Sequence, residues 1–316
     1  MAIREEGRRL EGWRVKSWSY NRSVIHYEER LYRPPSEARS LILQATIGCS
    51  YNECGFCGMY RNKKFRVRPL AELEAEIEWA RGEFGADVQK VFLADGDALI
   101  AKTSYLAGIL DALNAAFPNL RRVSCYASPQ SLQVRSVEDM ALLREKGLTQ
   151  YYLGIESGHD QVLTDLTKGV DAEEMIRVAL KAHDADVKLS TMILLGAGGH
   201  ALSREHARES ARVVSAISPR FVSTLVMTPV EDTPLWEQAE RGQVDTLTPL
   251  ELAAELREFL AGLDVTGSIF RSNHASNYLT LAGNLPRDKA ALVAQLDEVI
   301  ADPENAPFMP EWVRGL

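Results

Sequence analysis

Short apolar segments alternate with longer amphipathic segments along most of this chain. The apolar segments have the length and residue content of buried strands, and they cover residues 41–46, 90–94, 122–127, 150–155, 188–195 and 221–227. The segments between them carry apolar residues at helical spacing, over residues 71–84, 104–116, 137–146, 172–185 and 204–216. Strand–helix units in series predict parallel strands joined by right-handed crossovers. We therefore expect an α/β fold, a partial (β/α)6 TIM-like barrel with a C-terminal extension.

The extent of this regular pattern predicts the domain organisation. Residues 1–37 are rich in Arg, Trp and Tyr and end at Pro34 and Pro35, which disfavour a helix, so we expect an irregular N-terminal lead-in. Residues 38–231 are the predicted core barrel. Residues 232–316 are the predicted extension that caps the barrel, with helices over 249–263 and 287–301 and a strand over 265–271.

Three of the four cysteines stand within nine residues of one another. Cys49, Cys54 and Cys57 have the spacing C-x4-C-x2-C directly after the first predicted strand, and the carboxyl ends of parallel strands are where function gathers. Thiolates suit zinc or an iron–sulfur cluster, and three of them leave one iron of a cubane open. A closed zinc site would need a fourth ligand, either Cys125 or a histidine. Cys125 lies within the third predicted strand, where a buried apolar role is favoured.

Charge and composition narrow the possible partners. The net charge is −8 and no Lys/Arg block dominates, which makes nucleic acid an unlikely primary partner. The basic residues between positions 61 and 68 are interpreted as a solvated loop face. A charged N-terminus, clustered cysteines and the lack of a bilayer-length apolar run predict a cytoplasmic protein with no membrane partner.

The motifs at successive strand ends resemble those of the radical S-adenosylmethionine (SAM) superfamily. Its commonest cysteine spacing is C-x3-C-x2-C, and this chain has one residue more in the first interval. The turn Asp95-Gly96-Asp97 stands where the family carries a Gly-Gly-Glu-like turn that receives the SAM amino group. The run from Gly154 to Gly158 looks like the G-[IV]-[EQ]-S-G element of the branch that holds anaerobic coproporphyrinogen oxidase and the methylthiotransferases.

The resemblance implies a [4Fe–4S] cluster on Cys49, Cys54 and Cys57, with SAM on its open iron. It also implies an enzyme in which the reduced cluster splits SAM into methionine and a 5′-deoxyadenosyl radical. That radical would abstract hydrogen from a small-molecule substrate in the barrel, with flavodoxin or ferredoxin as the reductant. The residues that the resemblance assigns to SAM are Phe56, Asp95, Gly96, Asp97, Glu156, Lys168, Gly196 and Gly198. Arg177 is the alternative to Lys168 as the partner of the SAM carboxylate.

A polar run at residues 271–278 follows the strand of the extension. His274 and Tyr278 could transfer a proton or a hydrogen atom, so they are the predicted catalytic residues. The alternative is a turn held by local side-chain hydrogen bonds. Two other functions stay open at this point: an iron–sulfur or zinc module without SAM chemistry, and a radical SAM enzyme that modifies RNA or a peptide.

Overall fold

A sheet of eight strands forms the centre of the structure, a computed structural model that describes residues 25–314. The strands, in chain order, are β1 (Leu41–Gln44), β2 (Thr46–Ile47), β3 (Arg66–Val67), β4 (Lys90–Ala94), β5 (Arg122–Ala127), β6 (Leu148–Glu156), β7 (Lys188–Leu195), β8 (Phe221–Val226), β9 (Ser268–Arg271) and β10 (Ala282–Leu285). Strands β2 and β3 pair with each other as a separate antiparallel ribbon. The remaining strands have the order β1-β4-β5-β6-β7-β8-β9-β10.

Helices connect these strands in the expected alternation. They are α1 (Leu70–Phe84), α2 (Thr103–Ala116), α3 (Pro129–Val134), α4 (Val137–Glu145), α5 (Asp160–Asp165), α6 (Ala172–Asp184), α7 (Gly199–Ile217), α8 (Pro234–Glu240), α9 (Pro249–Gly262) and α10 (Lys289–Ala301). None of the helices in residues 25–314 combines the length and the apolarity that crossing a bilayer requires.

The sheet is the partial barrel that the sequence predicts. Each neighbouring pair from β1 to β9 is parallel, and β10 runs antiparallel to β9. Strands β1 and β10 stand at opposite ends of the order, so the sheet does not close on itself. The predicted α/β class is therefore confirmed.

Three element boundaries differ from the predictions. The first predicted strand is divided after Gln44, because Thr46 and Ile47 leave the main sheet to pair with β3. The short helix α3 was not predicted, and it begins at a capping box in which Ser128 and Ser131 bond each other's backbone amides. Helix α7 begins at Gly199, five residues before its predicted start.

Side chains alternate between the helix-covered face of the sheet and the inner face of the barrel. Phe92 and Tyr152 are buried on the inner face, and Tyr126 and Met192 are partly exposed beside them. The rings of Phe92 and Tyr126 meet edge to face with centroids 5.2 Å apart. The inner wall at β4–β6 is thus a packed aromatic surface.

The segment after residue 231 continues the sheet through β9 and β10, and α9 packs against α7 and α10. Of the predicted N-terminal lead-in, residues 1–24 lie outside the described part of the chain. Residues 25–40 have no regular structure apart from one 3-10 turn at Pro35–Glu37. Residues 315 and 316, the end of the predicted extension, also lie outside it.

Candidate functional site

The three neighbouring cysteines lie on the segment between β2 and β3, at the carboxyl edge of the sheet. All three are partly exposed. Gly48, which has a φ of +77°, starts the loop, and its amide donates to Asp95 Oδ2 at 3.0 Å. In return, the amide of Gly96 donates to the carbonyl of Gly48 at 3.1 Å. The cysteine loop is therefore fastened to the turn that follows β4.

The three thiols are close enough to affect one another electrostatically. Burial raises the pKa of Cys49, of Cys54 and of Cys57, the last to about 11, and the neighbouring thiols of Cys54 and Cys49 raise the pKa of Cys57 further. Within residues 25–314, no three His, Cys, Asp or Glu side chains are grouped to hold a metal ion. A cubane differs from such a single-ion site because each cysteine binds a different iron.

The cysteine loop is also held from outside. Arg61 donates from Nε to the carbonyl of Cys57 at 3.1 Å, and its guanidinium also donates to the carbonyl of Cys54. The amide of Gly55 donates to the carbonyl of Leu166 at 2.8 Å, which ties the loop to the segment after α5. Charge-assisted contacts to backbone carbonyls keep the loop in one conformation.

Asp95 is fully buried directly below the cysteine loop. Its Oδ2 accepts from Gln44 Nε2 at 2.9 Å and from Lys63 Nζ at 2.9 Å, besides the amide of Gly48. Lys63 is itself buried and supplies the opposite charge that a buried carboxylate needs. One oxygen of Asp95, which is with Asp97 a predicted acceptor of the SAM ammonium, is therefore already hydrogen-bonded within the protein.

Gly96 allows the Asp95–Asp97 turn to approach the cysteine loop. A Cβ atom at this position would lie 2.5 Å from Tyr60 Cε2 and 2.9 Å from Cys49 Cβ. Asp97, also fully buried, accepts from Ser50 Oγ at 2.5 Å and from Ser128 Oγ at 2.7 Å. Burial raises the pKa of Asp97. Its carboxylate joins the cysteine loop to the start of α3.

Glu156 and Lys168 form a buried ion pair at the end of β6, with 2.9 Å between Oε1 and Nζ. Glu156 has a φ of +65° at a register shift in the sheet, and a side chain at Gly154 would overlap its carboxylate. Burial opposes the charge on Lys168, but Glu156 and the thiol of Cys54 raise the pKa of the amine above its ordinary value. Lys168 is therefore a protonated cation beside the cysteine loop.

An apolar cluster lies beside this ion pair. Phe56, just before the third cysteine, packs with Leu194 and Ala197 at the end of β7 and with Leu225 and Met227 at the end of β8. The neighbouring turn contains two of the predicted glycines. Gly196 has a φ of +82°, which favours glycine, whereas Gly198 precedes α7 with a φ of −86°. The structure thus brings Phe56 of the cysteine loop next to the turn of Gly196 and Gly198, which the resemblance also assigns to SAM.

The two predicted catalytic residues lie on the loop after β9. His274 Nδ1 accepts from the amide of Ser276 at 3.1 Å, and burial lowers the pKa of the imidazole. Tyr278 donates its hydroxyl to Glu311 at 2.7 Å, and the Arg314 guanidinium lies 3.8 Å from its ring centroid. No described contact connects either residue with the cysteine loop. The contacts of Tyr278 are those of a residue that holds the C-terminal segment.

Other residues near the site carry roles that the sequence analysis did not assign. The predicted solvated face between positions 61 and 68 contains the loop-holding Arg61 and the buried Lys63. A buried aspartate at a strand end requires a cation, and that requirement was the available signal for Lys63. Arg177, the alternative to Lys168, is an exposed helix residue that pairs with Glu174 at 2.6 Å.

Two buried polar atoms indicate whether the site is suited to a cofactor. Asp95 Oδ1 and the Tyr60 hydroxyl are buried and have no hydrogen-bond partner in the described part of the chain. Buried polar atoms are costly without a partner, so a ligand with hydrogen-bonding groups fits beside them. The thiols of the loop are the ligands that an iron–sulfur cluster takes. The residues present therefore fit such a cluster with a polar ligand next to it.

Comparison with known proteins shows which family the chain resembles. A family model described as the Radical SAM superfamily matches residues 43–211. An uncharacterised protein of Methanocaldococcus jannaschii is 23% identical over 226 residues, which are 71% of this chain and 62% of that protein. The chain thus spans less than two thirds of the length of this curated relative.

Two solved structures share the fold. Coproporphyrinogen III oxidase (HemN) from Escherichia coli has a TM-score of 0.55 and 17% identity, and the match covers 70% of this chain and 51% of that one. Methylornithine synthase (PylB) has a TM-score of 0.51 and 18% identity, and the match covers 84% of each chain. At these identities, the likeness concerns the fold alone.

Proposed function

The chain belongs to the radical SAM superfamily. We propose that Cys49, Cys54 and Cys57 hold a [4Fe–4S] cluster and that the protein abstracts hydrogen from a small-molecule substrate. Members of this superfamily are enzymes that bind a [4Fe–4S] cluster and SAM, and they require a reductant and a substrate. The bound cluster and SAM together supply a 5′-deoxyadenosyl radical. We expect flavodoxin or ferredoxin to be the reductant.

One observation carries the assignment of the site. The cysteine loop lies between two buried ion pairs, Asp95–Lys63 on one side and Glu156–Lys168 on the other. Such pairs hold charges in fixed positions at low dielectric, where they orient a charged ligand strongly. A structural zinc loop would not need two buried ion pairs beside its open side.

Each part of SAM has a matching group at this edge. The protonated amine of Lys168 suits the methionine carboxylate, and Glu156 suits the ribose hydroxyls. Asp95 Oδ1, which has no partner among the described residues, suits the methionine ammonium. The aromatic ring of Phe56 suits the adenine, and the turn at Gly196 brings Ala197 into the same apolar cluster.

The inner face of the barrel supports a small substrate with apolar surface. Three buried carboxylates of the barrel are each paired with a cation, as Asp95–Lys63, Glu156–Lys168 and Glu37–Arg122. This pairing cancels most of the long-range field of these carboxylates, so they do not attract a strongly charged substrate from a distance, although each group still acts on a ligand placed next to it. Tyr126 and Met192 are partly exposed on the same wall and offer apolar area with one hydroxyl.

Anaerobic reconstitution tests the proposal. Wild-type protein, loaded with iron and sulfide and mixed with SAM and dithionite, should form 5′-deoxyadenosine. Cys54→Ala should lose iron and reduce that product to background. Cys125→Ala is the matched control and should keep its iron, because Cys125 is buried on the helix-covered face, away from the loop.

Two outcomes would contradict the proposal. Normal iron content in Cys54→Ala would refute the ligand assignment, and a fully loaded wild type that forms no 5′-deoxyadenosine would refute the reaction. The substrate class has its own test, a comparison of metabolites between a wild-type and a deletion strain. A change confined to modified RNA or peptides would overturn the small-molecule assignment.

A further inference from the structure

A buried carboxylate on helix α9 contacts the turn that follows β7. Glu255 is 3% exposed, and Leu252 and Leu256 on the same face of α9 are buried with it. Its Oε1 accepts from the amide of Gly196 at 2.7 Å, and its Oε2 accepts from Ser203 Oγ at 2.5 Å. A carboxylate on an apolar helix face is costly unless both oxygens are satisfied. Here both oxygens accept hydrogen bonds, one from the turn between β7 and α7 and the other from the start of α7.

The bond from Glu255 sets the direction of the peptide at Gly196. The turn closes through the amide of Gly199, which donates to the carbonyl of Gly196 at 3.1 Å. Ala197, the next residue, belongs to the apolar cluster that contains Phe56. Because the Gly196 amide points toward α9, the following residues are presented to the cysteine loop. Without an acceptor on α9, this amide would be buried and unpaired.

Helix α7 ties the same turn to the end of β6. Burial lowers the pKa of His206 to about 4, so the ring is neutral at ordinary pH. Its Nε2 lies 3.0 Å from the carbonyl of Leu194, and its Nδ1 lies 2.8 Å from Ser157 Oγ. The neutral ring therefore donates to the carbonyl and accepts from the hydroxyl. The amide of Gly158 donates to Ser210 Oγ at 2.9 Å, also on α7.

We propose that Glu255 is a positioning residue for SAM. Through its hydrogen bond to the amide of Gly196, Glu255 holds the turn after β7 in the conformation that binds SAM. This inference rests on the proposed function, and it adds a residue outside the matched family region 43–211. Glu255 acts only through the amide of Gly196 and is not itself assigned a contact with SAM. Its removal should weaken SAM binding and leave cluster assembly unchanged.

Titration of SAM into the cluster-loaded, oxidised protein tests this, because binding is measured without turnover. We expect Glu255→Ala and Glu255→Leu to raise the Kd for SAM about tenfold, because the buried amide of Gly196 is then left without an acceptor. Glu255→Gln keeps an acceptor oxygen and should stay within about twofold of wild type. Glu258→Ala removes from the same helix a partly exposed carboxylate that pairs with Arg208 of α7 and has no described contact with the Gly196 turn, so it is the matched control.

Hydrogen exchange of the peptide that spans Gly196 supplies a second measurement. Exchange there should be faster in Glu255→Leu than in wild type and unchanged in Glu255→Gln. Unaltered SAM affinity together with unaltered exchange in both Glu255→Ala and Glu255→Leu would overturn the inference. So would loss of iron from those variants, because Glu255 would then hold the fold as a whole. A wild type that binds no SAM would instead contradict the proposed function.

Discussion

The carboxyl group of Glu255 should make the stability of this protein depend on pH between about 5 and 8. Burial raises the pKa of Glu255 to about 7 from its ordinary value of 4.5. His206 on α7 is the titratable group that faces it, with 3.7 Å between Nε2 and Oε1. Because the pKa of His206 is lowered to about 4, this ring supplies no positive charge above pH 5. Above pH 7 the carboxylate is therefore ionised in the folded protein without a cation beside it.

The sign and size of the effect follow from the two pKa values. Below pH 4.5 the carboxyl group is protonated in the folded and the unfolded chain alike. Between pH 4.5 and 7 the unfolded chain loses this proton and the folded chain keeps it, so the free energy of unfolding falls as pH rises. One pKa unit corresponds to about 1.4 kcal/mol, so the full cost above pH 7 is about 3 kcal/mol.

Glu255→Gln removes this titration and keeps the shape and an acceptor oxygen. Relative to wild type, we expect the variant to gain about 3 kcal/mol between pH 5 and pH 8, on the order of 6 °C in Tm. Urea unfolding of both proteins at intervals across that range, followed by tryptophan fluorescence, measures the difference. Other titrating groups cancel because they are the same in both proteins.

Glu258→Gln is the control for removing a carboxylate from α9. Glu258 is partly exposed and pairs with Arg208, so the difference of this variant from wild type should stay within about 1 kcal/mol. A Glu255→Gln difference that is flat from pH 5 to pH 8 would refute the reasoning. So would a variant that loses stability as pH rises, since the ionised carboxylate would then be stabilised by its two donors more than burial disfavours it.

Three further substitutions test the site. Lys63→Met should lower the free energy of unfolding by about 3–5 kcal/mol in urea titrations, because it leaves Asp95 buried without its cation, and a change below about 1 kcal/mol would show that the pair is dispensable. Gly96→Ala should reduce iron loading, since its Cβ would overlap the Tyr60 ring, and full iron content would mean that the ring moves aside. Lys168→Met should weaken SAM binding by about tenfold or more in titrations of cluster-loaded protein, and an unchanged Kd would exclude this amine from the SAM site.

Much of the fold was predictable because its signals are local. Apolar segments of strand length alternate with helical periodicity, and right-handed crossovers restrict such a series to a parallel sheet. The boundaries failed where a partner far along the chain decides the hydrogen bonds, as in the division of the first strand after Gln44. The family could also be recognised from the sequence, because its motifs directly follow the predicted strands.

The individual site residues remain predictions, and the sequence missed those whose role depends on a distant partner. Lys63 stands among basic loop residues in the sequence, and its burial against Asp95 becomes visible only when β4 brings that carboxylate beneath the loop. Tyr278 was predicted to be catalytic from its polar neighbours, but folding gives it Glu311 and Arg314 as partners.

The sequence by itself determined the alternating α/β order, the three thiols at a strand end and the family they belong to, because each is written in residues that are close along the chain. Only the tertiary structure decided which charges are buried together and which backbone groups they hold. Glu255 is the clearest case: along the chain it is one carboxylate of an amphipathic helix, 59 residues from the amide of Gly196 that it accepts from. The energy of such a contact comes from burial and from a partner that packing alone supplies.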